Sequence, residues 1–178
     1  LLVVDEKGNL IDGDKIMLVC ANYFKEREML NKNTLVTTIM TNLGLVLTAK
    51  EQGINIVQTK VGDRYVLEEM LKSGYSIGGE QSGHIIFLDY NTTGDGLVSA
   101  LQVLKIMKHS GKKISELSDV FKPLPQVMIN AKVKNSKKYD YVNDKVITDE
   151  IRELENEFKE SGRVVIRPSG TEPFVRVM

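Results

Sequence analysis

TLVTTIMTNLGLVLTAKEQGINIVQTK, residues 34–60, contains the alternation of elements that decides the fold. Its first eight residues are rich in β-branched side chains and predict a strand. The next twelve space their apolar residues as a helix does, and they end at Gly53, a residue typical of helix C-termini. INIVQTK then predicts a second strand. Strands that alternate with helices favour an α/β domain with a mostly parallel sheet.

The alternation extends toward both ends of this stretch. Residues 1–14 predict a strand, a turn, a short strand and the start of a helix with Asp14 as its N-cap. Residues 62–74 predict a helix with Asp63 as N-cap and Gly74 as its end.

Two strands and a long helix complete the predicted α/β domain. Residues 75–90 predict two strand segments around a glycine-rich loop, and residues 94–111 predict a helix. The helix places four apolar side chains on one face: Leu97, Leu101, Leu104 and Met107. The predicted fold is therefore α/β, with a mixed, mostly parallel sheet flanked by helices.

The pattern changes after KPLPQ, residues 122–126, whose two prolines indicate a linker. Residues 126–133 predict a strand and residues 147–162 a helix. Two further strands flank a second polar loop, RPSGTEP, residues 167–173. This part of the chain predicts a small α+β domain with antiparallel strands.

The composition excludes some classes of partner and compartment. The 178 residues include 24 basic and 24 acidic side chains, and a net charge of zero gives no reason to expect a nucleic-acid or membrane partner. The single cysteine, Cys20, allows no intrachain disulfide and favours a reducing, cytoplasmic compartment. It lies in an apolar run, which favours a buried structural thiol. The sequence shows neither a signal peptide nor a transmembrane span.

RPSGTEP has the residues of an anion site. Arg167 offers a planar pair of donors suited to a phosphate or carboxylate. Ser169 and Thr171 add hydroxyls, and Gly170 lets successive backbone N–H groups point inward. The same residues also suit a hairpin turn that binds nothing, so both interpretations stay open.

GGEQSGH, residues 78–84, has the residues of a sugar site. Glu80 can accept hydrogen bonds from two neighbouring hydroxyls, and Ser82 can donate or accept. The glycines, Gly79 among them, allow close backbone approach. His84 can carry a proton or supply positive charge near a phosphate. The alternative is a glycine-rich crossover with solvated side chains.

Two charged side chains have alternative partners. Arg64 lies at a strand-to-helix junction, where it can face a phosphate or pair with Glu68 one turn on. Glu172 can hold either Arg167 or Arg176 in place.

DGD, residues 12–14, resembles a metal loop with Asp5 nearby. Asp is also favoured at turns and helix starts, and this second explanation is the one we prefer. We therefore predict no metal site in this chain.

Both polar loops, in this order and spacing, resemble those of the phosphohexomutase family. GGEQSGH is similar to the sugar-binding loop of the third family domain, and RPSGTEP to the phosphate-binding loop of the fourth. Residues 92–107 are similar to the helix that follows the sugar loop. The run DEKGNLIDGDKIM, the VGDRYV segment and the GEQSGH form look most like the branch of the family that acts on glucosamine phosphate.

The resemblance implies domain bounds and a missing catalytic part. Residues 1–30 would be the tail of the second family domain, 31–122 the sugar-binding third domain, and 126–178 a truncated phosphate-binding fourth domain. The phosphorylated serine and the ligands of Mg²⁺ would lie before Leu1. This chain would then bind a sugar phosphate without turnover. The sequence does not indicate an oligomeric state.

The resemblance also implies roles for individual residues in a transfer of phosphoryl between the 6- and 1-positions of glucosamine phosphate. The sugar would be held by Gly79, Glu80 and Ser82, and its distal phosphate by Arg167, Ser169, Gly170 and Thr171. His84 and Arg64 would assist at the reacting end. The alternatives are a mannose or glucose phosphate substrate, or a module without catalysis.

Overall fold

The computed structural model describes residues 1–159 and 161–178. The chain divides into two compact units, Leu1–Pro123 and Leu124–Met178, and the division falls within KPLPQ. The strands are β1 Val3–Val4, β2 Leu10–Ile11, β3 Thr34–Thr38, β4 Asn55–Thr59, β5 Ile77–Gly79, β6 Ile85–Phe87, β7 Ile129–Lys132, β8 Ile166–Pro168 and β9 Phe174–Val177. The helices are α1 Gly13–Lys25, α2 Leu43–Glu51, α3 Asp63–Ser73, α4 Gly96–Ser110, α5 Ile114–Leu117 and α6 Lys145–Phe158.

The first unit is built on a four-stranded sheet in the order β4-β3-β5-β6. β3 is parallel to both β4 and β5, while β5 and β6 form an antiparallel pair across the glycine-rich loop. β1 and β2 form a separate antiparallel hairpin. The mixed, mostly parallel sheet predicted from the alternation is confirmed.

Helices cover both faces of the sheet, because successive strand residues point to opposite sides. Leu35 packs in the larger core with α1, α2 and α4, and the rings of Phe24 and Phe87 lie 5.7 Å apart there. Its neighbour Val36 lies in the second core, with Val66 of α3. A three-layer α/β/α arrangement follows.

Two predicted helix caps are wrong by one or two residues. The N-cap of α1 is Asp12, whose Oδ1 accepts the Lys15 N–H at 3.1 Å, and not Asp14. Asp14 is fully buried in the first turn, where its carboxylate accepts a backbone N–H from α2's N-cap. Asp63 is the first residue of α3, and Gly62 stands at the cap position. Gly74 ends α3 with φ +71°, as predicted.

α4 forms where the sequence predicts it, but its orientation differs from the expected one. Leu97, Leu101 and Leu104 are 72%, 56% and 57% exposed, whereas Met107, the fourth residue of the predicted face, is partly buried against the core. The face that contacts the core instead includes Val103 and Ile106, which are 4% and 3% exposed. The helix has two apolar faces, and packing selects the one that the spacing did not single out.

The first thirty residues share a core with the strands that follow them. α1 supplies Ile16, Leu18 and Phe24 to the same core as β3, β5 and β6. Residues 1–30 and 31–122 therefore lie in one compact unit.

The second unit contains a three-stranded antiparallel sheet in the order β7-β9-β8. α6 lies between β7 and β8 in the chain. The carboxylate of Asp144 caps α6 by accepting the N–H groups of Val146 and Ile147. α6 begins two residues before the predicted helix 147–162 and ends four residues earlier; Glu160, within that prediction, lies outside the described residues. The predicted α+β domain is confirmed.

No helix within residues 1–159 and 161–178 has the length and apolar character needed to cross a membrane.

Candidate functional site

Three polar loops leave the same edge of the sheet in the first unit. β3, β4 and β5 are parallel, so the segments that follow them, residues 39–42, 60–62 and 80–84, all lie at their carboxyl ends. Open α/β sheets bind ligands at this edge. The predicted sugar loop therefore lies where the fold favours a binding site.

The loop Glu80–His84 is a tight, hydrogen-bonded turn between β5 and β6. The Glu80 N–H donates to the His84 carbonyl at 2.9 Å, and the Gly83 N–H donates to the Glu80 carbonyl at 2.9 Å. Gly83 has φ +96°, a backbone conformation that residues other than glycine rarely adopt. At Gly79 an added Cβ would lie 2.4 Å from the His84 carbonyl oxygen. The glycines are needed for the shape of this turn.

A backbone donor orients the Glu80 carboxylate. The N–H of Gly62, in the loop after β4, donates to Glu80 Oε1 at 3.0 Å. Glu80 is half-buried, and its Oε2 has no hydrogen-bond partner among the described residues. An oriented carboxylate with one open oxygen can accept hydrogen bonds from sugar hydroxyls.

Ser82 and His84 lie together on the exposed side of the loop. The Ser82 Oγ and the His84 Nδ1 are 3.2 Å apart. Hydrogen bonding at Nδ1 leaves Nε2 of the ring for a ligand. The structure thus brings Glu80, Ser82 and His84 into one turn of five residues.

Arg64 forms the ion pair that was one of its two predicted alternatives. Its Nε lies 2.8 Å from Glu68 Oε1, and both side chains are exposed. The hydrogen bond to Glu68 raises the pKa of the guanidinium, which stays charged. An exposed pair of this kind contributes little stability, so Arg64 can exchange Glu68 for a ligand at small cost.

The second predicted loop is the β8–β9 hairpin of the second unit. The Ser169 N–H donates to the Phe174 carbonyl at 2.9 Å, and the Glu172 N–H donates to Ser169 Oγ at 3.2 Å. Gly170 and Thr171 are exposed at the tip. The hairpin interpretation is correct for the backbone, and a hairpin tip of this kind can still bind an anion.

The arginines of β8 and β9 are directly opposite each other. Arg167 pairs in register with Arg176, so both side chains lie on the same face of the sheet. Glu172 Oε2 lies 3.0 Å from Arg176 Nη2, which decides between its two predicted partners. Arg167 has no carboxylate partner among the described residues. One arginine is neutralised and the other can bind an anion.

Lys138 is a charged residue at this hairpin that the sequence did not reveal. It is only 7% exposed, and its Nζ donates to the Ser169 carbonyl at 2.7 Å. In the sequence it stands beside Lys137 in a lysine-rich stretch, and no local pattern distinguishes the two. Its burial brings a second positive charge to the hairpin that contains Arg167.

The residues that the structure describes do not fit a magnesium site. Within residues 1–159 and 161–178, no group of three or more His, Cys, Asp or Glu side chains could hold a metal ion. The carboxylate of Asp12 is engaged at the helix N-terminus.

Comparison with protein families gives the class of protein. Residues 12–124 match the family model described as phosphoglucomutase/phosphomannomutase, alpha/beta/alpha domain III. Residues 128–178 match the model of the C-terminal domain of the same family. The chain belongs to the phosphoglucomutase/phosphomannomutase family, as the two loops implied.

The curated relatives with high sequence identity to this chain are phosphoglucosamine mutases. The chain is 62% identical over 178 residues to a phosphoglucosamine mutase of Ruminiclostridium cellulolyticum, covering 100% of this chain and 40% of that protein. It is 60% identical to a phosphoglucosamine mutase of Clostridium tetani, covering 99% of this chain and 40% of that protein. The chain thus spans about 40% of the length of these relatives.

Solved structures share the fold. An Aspergillus fumigatus N-acetylphosphoglucosamine mutase matches with a TM-score of 0.79 and 21% identity, over 99% of this chain and 41% of that one. The same kind of enzyme from A. fumigatus, in complex with GlcNAc-6P and magnesium, matches with a TM-score of 0.76 and 21% identity, over 99% and 45%. At this identity the likeness establishes the fold alone.

Proposed function

We propose that this chain is the sugar-phosphate-binding part of a phosphoglucosamine mutase, which interconverts glucosamine 6-phosphate and glucosamine 1-phosphate. The observation that carries the proposal is the Glu80 carboxylate, oriented by the Gly62 N–H with one oxygen open at the carboxyl edge of the sheet. The high identity to phosphoglucosamine mutases supports glucosamine as the sugar.

The proposed reaction moves a phosphoryl group between the two ends of one sugar. A phosphoserine gives its phosphoryl group to the free hydroxyl, which yields a bisphosphorylated sugar, and then takes back the other phosphoryl group. The sugar must turn around between the two transfers. Its binding site must therefore accept both orientations, which requires contacts to hydroxyls and to whichever phosphate is not reacting.

The two loops meet these two requirements separately. Glu80 and Ser82 would hold ring hydroxyls, with Gly79 allowing close backbone approach. The distal phosphate would be bound by Arg167, Ser169, Gly170 and Thr171. Arg167 supports this assignment because it has no competing carboxylate among the described residues, whereas Arg176 does.

His84 and Arg64 would act at the reacting end. The His84 Nε2 would hold or move a proton at the sugar hydroxyl, while Ser82 fixes the ring through Nδ1. Arg64 would add positive charge after exchanging Glu68 for a phosphate oxygen. Magnesium, when bound to the complete enzyme, would neutralise charge on the transferred group. We propose that its ligands belong to residues outside this chain.

Isothermal titration with glucosamine 6-phosphate tests the proposal. Arg167→Ala should weaken binding by about tenfold or more, because a charge-assisted phosphate contact contributes about 1.5–3 kcal/mol. Arg152→Ala is the matched control, since Arg152 is an exposed arginine of the same unit, paired with Asp149. Equal binding by the wild type and Arg167→Ala would refute the assignment of the phosphate loop.

Three further measurements test the sugar contact, the sugar specificity and the activity of this chain. Glu80→Ala should weaken the binding of glucosamine 6-phosphate more than the binding of inorganic phosphate, because inorganic phosphate has no sugar hydroxyls. Tighter binding of mannose or glucose 6-phosphate would reject glucosamine as the substrate. We expect this chain alone to show no mutase activity, and measurable turnover would contradict that part of the proposal.

A further inference from the structure

We propose that Asp12 and Gly13, at the N-terminus of α1, are positioning residues that hold the loop Glu80–His84 in its binding shape. Neither residue belongs to the loop, and each lies more than sixty positions before it in the chain. The inference rests on the proposed function, because it gives the loop its purpose. The inference names the contacts that hold the loop in place, and family membership alone does not specify these contacts.

Two hydrogen bonds join the start of α1 to Gln81. The Gly13 N–H donates to the Gln81 carbonyl at 2.9 Å. The Gln81 Nε2 donates to Asp12 Oδ2 at 3.3 Å. Because Asp12 Oδ1 accepts the Lys15 N–H, one carboxylate caps the helix and holds the loop at the same time.

The loop also packs on Gly13 too closely for any side chain. A Cβ at Gly13 would lie 2.2 Å from the Glu80 carbonyl oxygen, 2.8 Å from the Gln81 carbonyl oxygen and 2.8 Å from the Gly83 nitrogen. All three are backbone atoms and cannot rotate away. Gly13 is buried beneath the loop and acts as a contact surface for its backbone.

Glu80 is therefore held from two sides. Its carboxylate receives the Gly62 N–H, and its carbonyl rests against Gly13. Its neighbour Gln81 is tied to Asp12. A loop that is ordered before the ligand arrives loses less conformational entropy on binding, so these contacts raise affinity without touching the sugar.

Reversing the polarity of one contact tests the inference. Gln81→Glu places a second carboxylate against Asp12, and the repulsion should push the loop away. Adding Asp12→Asn restores a donor and an acceptor in exchanged positions. Asn is as good an N-cap as Asp, so the double variant keeps the helix cap.

Amide hydrogen exchange gives a readout that needs no ligand. In Gln81→Glu the N–H groups of Gly13, Glu80 and Gly83 should exchange about tenfold faster, because local opening becomes easier. The double variant should return them to within about threefold of the wild type. Amides of α4 should not change in either variant.

The affinity for glucosamine 6-phosphate gives the second readout. It should fall about tenfold in Gln81→Glu and recover in the double variant. Unchanged loop exchange in Gln81→Glu, an equal increase across α4, or no recovery in the double variant would overturn the positioning role. If exchange behaves as expected but the wild type binds no glucosamine 6-phosphate, the proposed substrate fails while the positioning contact stands.

Discussion

Asp14 provides the most direct test of how the first unit is held together. Its carboxylate is fully buried in the first turn of α1, and its Oδ2 accepts the backbone N–H of Asn42, the N-cap of α2, at 2.8 Å. One negative charge therefore lies at the N-termini of two helices, where helix dipoles favour it. We expect its removal by Asp14→Ala to destabilise the unit.

The size of the effect follows from the contacts. A buried N–H left without its acceptor costs about 1–3 kcal/mol. The loss of a charge at a helix N-terminus adds about 0.3–1 kcal/mol for each helix. The free energy of unfolding should therefore fall by about 1.6–5 kcal/mol in Asp14→Ala. Urea unfolding followed by far-UV circular dichroism measures this, since the chain has no tryptophan for fluorescence.

Asp63→Ala is the matched control. Asp63 is also a first-turn aspartate, and its Oδ1 accepts the Arg64 N–H at 2.8 Å, but it is exposed. Water can replace its carboxylate, so the free energy of unfolding should fall by less than about 1 kcal/mol. The reasoning would be refuted if Asp14→Ala destabilised the chain no more than Asp63→Ala does.

Three other changes have outcomes that the structure decides. Lys138→Met should weaken inorganic phosphate binding several-fold in calorimetry, because it removes a buried charge from the β8–β9 hairpin. The exposed Lys137→Met should leave the affinity unchanged. Equal affinities of the wild type and Lys138→Met for inorganic phosphate would reject a role for Lys138. Val103→Ala, in the core, should cost about 2 kcal/mol in urea unfolding, and the exposed Leu101→Ala should cost about 0.5 kcal/mol or less; the reverse order would contradict the orientation of α4. Burial raises the pKa of Cys20 from 9.0 to about 12, so the unfolded chain loses this proton first and the free energy of unfolding should fall as pH rises above 9. In Cys20→Ala the free energy of unfolding should fall less steeply with pH. Identical slopes for the two chains in urea unfolding at a series of pH values would contradict the buried thiol.

Much of the fold was predictable because its signals are local. β-branched runs, helical spacing and the glycine at residue 74 report backbone preferences set by neighbours within about four residues. These signals located β3, β4 and α3, and with them the mostly parallel sheet. The polar loops were recognisable for the same reason, since GGEQSGH and RPSGTEP each concentrate their chemistry in seven consecutive residues.

The supporting contacts of the site were not predictable from local pattern. The sequence has lysines at 137 and 138, but only burial against Ser169, 31 residues later, distinguishes Lys138. Likewise, the Gly62 N–H that orients Glu80 comes from a different strand's loop. Such contacts depend on how strands and hairpins are arranged in space.

The sequence alone determined which segments form the main strands and helices, and which loops concentrate polar side chains. Tertiary structure alone decided that Asp12 caps α1 while Asp14 is buried, and that α4 turns Val103 rather than Leu101 toward the core. The physical reason is that an aspartate or an apolar face has the same local propensity in either position. Only the free energy of burial against distant residues separates the two choices.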